Sequence, residues 1–196
     1  MYRNTFLSVM FLACCFNGSL CAQSDAQIYE RTCDAKTYPF SDPSPVATPN
    51  NSYYPYFRFD GFSMQAQEKQ WKMVVLENDY VKLTVTPEIG GKIWGAIDKV
   101  NNKEFVYTNG VVKFRDVAMR GPWTSGGIEF NFGIIGHAPT CSTPIDYLTK
   151  KNVDGSVSCH IFSYEWITRT VWNVEINLPK DKAYFTTHTT WFNQSS

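Results

Sequence analysis

The stretch "YVKLTVTPEIGGKIWGAID", residues 80–98, decides the fold class of this chain. Apolar and polar residues alternate in its first half, which is the pattern of a strand with one buried face. The apolar positions there are Val81, Leu83 and Val85. The "PEIGG" segment supplies the proline and glycines of a turn. The extended pattern then resumes and predicts one face made of three residues: Ile93, Gly95 and Ile97.

Strand patterns of the same kind fill the chain from Trp71 onward. "KVNNKEFVY" predicts a hairpin through its Asn pair, and "IDYLTKKNVDGSVSCHIFSYE" predicts a second hairpin around Asp154-Gly155. "PKDK" predicts a turn into a last strand, "AYFTTHTTWF". The strand before that turn has a strongly apolar face: Trp172, Val174, Ile176 and Leu178. No segment has a convincing amphipathic helix pattern, so the sequence predicts an all-β fold, an antiparallel β-sandwich.

The N-terminus has the layout of a secretory signal peptide. A short basic start precedes an apolar run over residues 6–16, and small and polar residues follow up to Ala22. The run is too short to span a membrane. Lipidation at Cys21 is the less favoured alternative, because the residues before it lack the small-residue pattern of such sites. We therefore expect residues 1–22 to be a signal peptide and the protein to be exported, to the periplasm or beyond the cell.

Residues 23–70 are predicted to be an extended lead-in to a sandwich domain at 71–196. The lead-in contains "YPFSDPSPVATPNNSYYPYFRFDGF", whose five prolines exclude helix and central strand. At the other end, the chain stops at "WFNQSS", directly after a strong strand pattern. An open sheet edge there would invite pairing with another strand. We therefore expect the sandwich to continue in a longer chain.

Composition excludes two classes of partner. The 18 basic and 18 acidic residues balance, and they form no basic stripe. This argues against nucleic acid and against an anionic membrane surface. Aromatic residues make up 16% of the chain, which suits both a thick apolar core and surfaces that stack on sugars.

Three cysteines remain once the signal peptide is removed: Cys33, Cys141 and Cys159. An odd number allows at most one disulfide within the chain. Cys141 and Cys159 flank the second predicted hairpin, so they either pair across it or are two small buried residues. The chain has no C-x-x-C motif, which argues against a zinc ribbon.

The stretch "MRGPWTSGGIEFNFGIIGHAPT", residues 119–140, has the composition of a ligand site. Its "GGIEFNFG" segment alternates, so Glu129 and Asn131 share the face opposite an apolar set: Ile128, Phe130 and Phe132. The flanking glycines permit bends or the close approach of a ligand to the backbone. A glutamate between two large apolar residues on such a strand either faces solvent or has a functional role.

Three further side chains flank this face: Arg120, Trp123 and His137. Arg120 either donates two parallel hydrogen bonds to a carboxylate or a vicinal diol, or pairs with Asp116. Trp123 either offers a flat face to a pyranose ring or belongs to the core. His137 lies in a Gly-rich loop that folds back over the Glu129 face, unless it is a structural histidine.

Two acid–base schemes fit these residues. Glycoside cleavage uses paired carboxylates, and Glu129 has three possible partners for it: Glu104, Asp116 and Asp146. A Glu–His pair acting on a sugar is equally simple. Ser125 lacks the context of a nucleophile elbow, and the spacing of Glu129 and His137 matches no common metal site. The sequence therefore predicts no metal and no cofactor, Glu129 and His137 as catalytic residues, and a substrate-binding set: Arg120, Trp123 and Asn131.

The segments "LENDYVKLTVTPEIGGKIWGAIDKVNNKEFVYTN", "RGPWTSGGIEFNFGIIGHAPT" and "VDGSV" resemble an uncharacterised family of exported bacterial proteins with a domain of unknown function. Tetratricopeptide-like repeats often follow that domain. The family is similar in turn to the galactose-mutarotase superfamily, a β-supersandwich found in aldose 1-epimerases and several glycoside hydrolases and lyases. The resemblance covers roughly residues 71–196.

This resemblance implies the first half of a supersandwich, with carbohydrate bound on its concave sheet and Glu129 and His137 as site residues. The catalytic glutamate of aldose epimerases comes from late in the domain, beyond the part that this chain resembles. We expect an exported carbohydrate-recognising domain that belongs to a hydrolase, lyase or epimerase. The alternative is a β-sandwich that binds a glycan without catalysis or has a purely structural role.

Overall fold

The computed structural model describes residues 24–40, 61–116, 122–133, 136–165 and 168–193, and their regular structure is almost entirely β. Their seven-stranded sheet has the spatial order β5-β4-β3-β2-β1-β6-β7. Its strands are β1 (Gln27–Tyr38), β2 (Gln67–Glu77), β3 (Val81–Thr86), β4 (Lys92–Asp98), β5 (Lys103–Val106), β6 (Val112–Asp116) and β7 (Pro122–Thr124). A four-stranded sheet has the order β11-β10-β9-β8. It comprises β8 (Asp146–Lys151), β9 (Val157–Glu165), β10 (Thr170–Leu178) and β11 (Thr186–Phe192).

The strand pairing matches the predicted meanders, with one addition. The two predicted hairpins form, as β4–β5 and β8–β9. Asn102 adopts a φ of 52° in the first, as expected for an Asn in such a turn. The pair β1–β6 is parallel, through Thr37↔Val112. The larger sheet is therefore mixed, and the smaller sheet is antiparallel throughout.

The two sheets pack face to face around one apolar core, which confirms the all-β sandwich. The predicted apolar face of β10 is fully buried: Trp172, Val174, Ile176 and Leu178. Residues of β2 and β3 meet it from the larger sheet, including Leu76 and Leu83. Phe132 stacks on Trp172 with ring centroids 4.5 Å apart. Burying each such side chain stabilises the fold by about 1.5–3 kcal/mol.

The predicted inner face of β4 is wrong in part. Val85 pairs with Ile93 while Thr84 pairs with Gly95, so Trp94 is an extra residue in the ladder. This bulge turns the side chains that follow it, because one added residue reverses the alternation of a strand. Ile93 and Ala96 therefore face the core, whereas Gly95 and Ile97 do not. Trp94 joins a second cluster formed with Trp71, Met73, Ile89, Val112 and Phe114.

The sheet also begins earlier than the predicted domain boundary at residue 71. β1 lies inside the segment 23–70 and pairs with β2 from Gln27↔Glu77 to Thr37↔Gln67. This is physically possible because β1 ends at Tyr38, before the first proline of the lead-in, so its N–H groups remain available. The other prolines of the lead-in and the predicted signal peptide lie outside the described residues.

Among the described residues, none of the three cysteines predicted for the mature chain forms a disulfide, and both Cys141 and Cys159 are buried. The structure thus has the buried-thiol arrangement rather than the disulfide. In the part of the chain that is described, no helix is long and apolar enough to cross a membrane.

Candidate functional site

The "GGIEFNFG" segment is extended, but it does not join a regular ladder as predicted. Among the described residues it pairs through an isolated bridge, in which Ile93 and Ile128 exchange backbone hydrogen bonds of 3.1 and 2.9 Å. Gly127, near the start of this segment, has a φ of 68° and bends the chain just before the bridge at Ile128. The predicted alternation still holds on the apolar side, where three residues pack against the main core: Ile128, Phe130 and Phe132.

Glu129 and His137 are in direct contact. The His137 Nδ1 atom lies 2.7 Å from Glu129 Oε1, and the amide of Asn131 donates to the same oxygen at 2.7 Å. The backbone N–H of Ala138 donates to Asn131 Oδ1 at 3.0 Å. The loop that carries His137 thus folds back over the Glu129 side of the segment, and it is fastened there. The Glu129 side chain is 13% exposed and that of His137 is 32% exposed, so the pair is sheltered but reachable from solvent.

His137 has a φ of 55°, in the left-handed region, which is uncommon for residues other than glycine, although asparagine, aspartate and histidine adopt it more often than the rest. Such a conformation costs roughly 1–3 kcal/mol, and it persists where surrounding contacts fix it. The bonds to Glu129 and, through Ala138, to Asn131 are those contacts. Strained backbone positions of this kind cluster at functional sites, which makes His137 a candidate site residue.

Trp123 forms an aromatic wall beside the pair. It lies in β7, opposite Arg115 of β6, and its ring centroid is 5.7 Å from that of His137 at an interplanar angle of 39°. The residue is half-buried, so part of its surface remains open. The structure therefore brings together four of the five predicted site residues. Arg120, and with it the choice between a ligand and Asp116 as its partner, lies outside the described residues.

Two of the predicted carboxylate partners lie on strands, outside the segment that carries Glu129. Glu104 is on β5 and Asp146 is on β8, which are edge strands of different sheets. The side chain of Asp116 lies outside the described residues. The imidazole of His137, by contrast, contacts Glu129 directly. Of the two schemes left open by the sequence, the geometry favours the Glu–His pair.

Lys92 is a site residue that the sequence analysis missed. It begins β4, is 1% exposed, and donates from Nζ to the carbonyl oxygen and the hydroxyl of Thr124 at 2.5 and 3.0 Å. Burial lowers the pKa of Lys92, while the negative charge of Glu129 acts in the opposite direction. A buried ammonium group is costly unless it is paired. The two bonds to Thr124 satisfy the Lys92 ammonium and connect β4 to β7. They also hold a positive charge near Glu129.

Cys141 is the second missed residue. It ends a short 3-10 turn, Pro139–Cys141, and its ligand atom lies within 4.8 Å of those of Glu129 and His137. Burial raises the pKa of the Cys141 thiol, and the neighbouring Glu129 carboxylate raises it further. The turn is held against the sheet by Gly90, which approaches the Cys141 backbone so closely that a Cβ atom there would overlap it. The thiol, the carboxylate and the imidazole form one cluster.

A separate cavity of about 240 Å³ opens near the second apolar cluster. Trp71 and Phe114 line it together with Lys69, Glu88 and Thr143, and neither Glu129 nor His137 does. The Lys69 ammonium lies 3.8 Å from the centre of the Trp71 ring, so a cation already covers that ring. The cavity therefore lacks the acid–base pair that Glu129 and His137 provide, and its one tryptophan is already covered.

The fold and the site define an all-β sandwich domain with a sheltered Glu–His–Cys cluster beside a tryptophan. The chain belongs to the family described as Domain of unknown function (DUF5107), whose model matches residues 48–196. The prediction of an uncharacterised family is thereby confirmed.

The fold is also similar to part of a solved structure, the crystal structure of a TPR-domain containing protein from Parabacteroides distasonis ATCC 8503. The TM-score is 0.75 at 26% sequence identity, and the match covers 86% of this chain. It covers 29% of that protein, so the present chain spans less than a third of its length.

Proposed function

We propose that this domain binds carbohydrate at the Glu129–His137 site, and that the protein acts on the glycan by acid–base chemistry. The contact that carries the proposal is the 2.7 Å approach of His137 Nδ1 to Glu129 Oε1 beside the half-open ring of Trp123. The resemblance to the first half of a galactose-mutarotase-like supersandwich, and export through residues 1–22, belong to the same proposal.

The Glu–His contact suits general base catalysis. When Glu129 is ionised, its Oε1 accepts the proton of Nδ1, and this fixes the imidazole tautomer in which Nε2 carries a free lone pair. That nitrogen then takes a proton from a sugar hydroxyl or a water molecule and returns it later in the reaction. Asn131 holds Glu129 in place through its 2.7 Å bond. The same geometry serves hydrolase, lyase and epimerase chemistry.

Trp123 and Asn131 suit substrate binding. The indole offers an apolar face of the kind that packs on the C–H face of a pyranose ring. The Asn131 amide uses one N–H for Glu129 and its oxygen for Ala138, which leaves a second N–H for a sugar hydroxyl. Arg120 completes the proposed set as a bidentate donor.

A second candidate function uses the same face without chemistry. In it, Trp123 and Asn131 hold a glycan and the Glu–His contact stabilises the loop. The sheltered position of the pair, with Glu129 only 13% exposed, fits this reading as well. A purely structural sandwich would bind no glycan at all.

The test measures binding and turnover of a glycan panel with the natural full-length protein and its variants. Glu129→Gln and His137→Ala should each lower turnover by about 10²–10⁴-fold and leave binding largely intact, while Trp123→Ala weakens binding. His188→Ala and Trp191→Ala are matched controls, because both residues are exposed on β11, away from the site.

The other possible results contradict the proposal or support a different function. Full turnover by both Glu129→Gln and His137→Ala contradicts the acid–base role. Binding without turnover, lost in Trp123→Ala but not in Trp191→Ala, supports the non-catalytic function. Absence of binding to any glycan by the full-length protein refutes carbohydrate recognition altogether.

A further inference from the structure

We propose that Glu129, His137 and Cys141 form a binding site for a divalent transition metal of the Zn²⁺ type. Their ligand atoms, one oxygen, one nitrogen and one sulfur, all lie within 4.8 Å of one another. Carboxylate, imidazole and thiolate are the groups from which proteins build zinc sites. This proposal goes beyond carbohydrate recognition, since it requires no sugar and no turnover.

The distances between the three atoms fit a metal after small movements. In a tetrahedral zinc site with bonds of 2.0–2.3 Å, ligand atoms stand roughly 3.3–3.8 Å apart. The Oε1–Nδ1 separation of 2.7 Å is that of a hydrogen bond, so these two atoms move apart by about 0.5–1 Å when a cation replaces the proton. The sulfur of Cys141, which lies within 4.8 Å of the other two atoms, approaches them by up to about 1–1.5 Å. Side-chain rotations alone supply shifts of this size.

The chemistry of the donor set balances the charge of the cation. The Cys141 thiol loses its proton to solvent as its sulfur binds, and the Nδ1 proton of His137 moves to Nε2, so that the imidazole stays neutral. Carboxylate and thiolate then neutralise the two charges of the metal. Lys92 is the cation that acts on both anionic ligands, and its Nζ is held by Thr124 rather than by the cluster.

The surroundings of the cluster are already arranged to support it. Asn131 donates to Glu129 Oε1 and accepts from the Ala138 N–H, so it fixes the carboxylate and the loop of His137 together. Such neighbours orient metal ligands and raise affinity. Three protein ligands leave one position open, as in catalytic zinc sites. The 32% exposure of His137 gives the ion and its fourth ligand a route from solvent.

The test titrates the purified, metal-stripped protein with Co²⁺ alone, followed by Zn²⁺ competition. A thiolate ligand gives Co²⁺ an intense near-ultraviolet charge-transfer band, which Zn²⁺ abolishes on displacement. We expect one ion per chain. Cys141→Ser should remove the band, and His137→Ala and Glu129→Gln should each weaken binding by at least about tenfold. Cys159→Ser is the matched control, because Cys159 is also a buried cysteine but lies in the main core.

Circular dichroism of each variant checks that it is folded. If Cys141→Ser does not fold, Cys141→Ala is used in its place. Lack of a charge-transfer band in the wild-type protein, or a band that persists without Cys141, overturns the proposal. So does equal loss of the band in folded Cys159→Ser. Glycan binding measured in the presence of a chelator reports on carbohydrate recognition separately, so failure of one proposal is distinguishable from failure of the other.

Discussion

Gly127→Ala should both destabilise the domain and disable the site. Gly127 has a φ of 68°, which costs an L-residue about 1–2 kcal/mol. An added Cβ would also overlap the carbonyl oxygen of Ile93 and lie 3.2 Å from the side chain of Lys92. The backbone must therefore move at the point where Ile93 and Ile128 exchange two hydrogen bonds. Each bond contributes about 0.5–1.5 kcal/mol.

Together the left-handed φ and the two hydrogen bonds predict a loss of about 2–5 kcal/mol, a large share of the stability of an ordinary domain. For a domain of this size, that corresponds to a fall in Tm of roughly 4–20 °C. The assay is urea unfolding at 25 °C, followed by circular dichroism and repeated as a thermal scan. Because Glu129 lies two residues downstream, Gly127→Ala should also weaken Co²⁺ binding more than its global destabilisation explains.

Gly110→Ala is the matched control. A Cβ atom at Gly110 would meet nothing within 4 Å, and its φ is not in the left-handed region. We expect Gly110→Ala to change stability by less than about 1 kcal/mol, in either direction. A Gly127→Ala protein as stable as Gly110→Ala would show that the bridge and the left-handed bend do not hold the segment, and the reasoning would fail.

Three other substitutions test the packing and the charges around the site. Trp172→Ala should cost about 3–5 kcal/mol in urea unfolding, whereas Trp172→Phe should cost far less, because the buried indole N–H has no partner among the described residues. Lys92→Met should cost about 1–3 kcal/mol by the same assay, since the Thr124 carbonyl and hydroxyl lose their buried donor. The pKa of Glu77 lies below its ordinary value. Burial raises this pKa, but the hydrogen bonds from Lys99 and Tyr29, together with the nearby lysine charges, outweigh the effect of burial. A carboxyl group whose pKa is lowered in the folded protein stabilises the fold at pH values above its ordinary pKa of about 4.3. This stabilisation is lost as the pH falls through the pKa of the folded protein. Glu77→Gln should therefore make the free energy of unfolding depend less on pH over that acid range. An unchanged profile would show that the ionised carboxylate is no better bound in the folded protein.

Local patterns predicted most of the strands because a strand with one buried face has a simple period. β10 is the clearest case, since its alternating residues line the core from Trp172 to Leu178. The bulge in β4 could not be predicted in the same way, because the extra residue at Trp94 does not alter the types of residue that indicate a strand. The place of β1 in the sheet depends on pairing with β2, across a sequence separation that periodicity does not report.

The candidate site likewise contains residues that local sequence patterns predicted and residues that depend on contacts between distant parts of the chain. Glu129 and His137 were identified because alternation placed one on a polar face and glycines allowed the other to return to it. Cys141 was missed as a site residue because its position depends on the contact between the Pro139–Cys141 turn and Gly90, fifty residues earlier in the chain. Lys92 was missed because a lysine at the start of a strand normally reaches solvent. Its burial follows from the packing of β4 against Thr124 of β7.

The two proposals use the same atoms in different ways, because each requires a different protonation state of the His137 imidazole. As a base, His137 needs a proton on Nδ1 that Glu129 accepts, so that Nε2 is free. As a metal ligand through Nδ1, His137 carries its proton on Nε2, and Glu129 is bound to the cation. An occupied metal site therefore removes this base, and any proton transfer would pass to a water at the open metal position. Cys141 is buried, and its sulfur lies within 4.8 Å of the ligand atoms of Glu129 and His137, so the thiol is the group that the proposed metal site adds to the proposed acid–base pair.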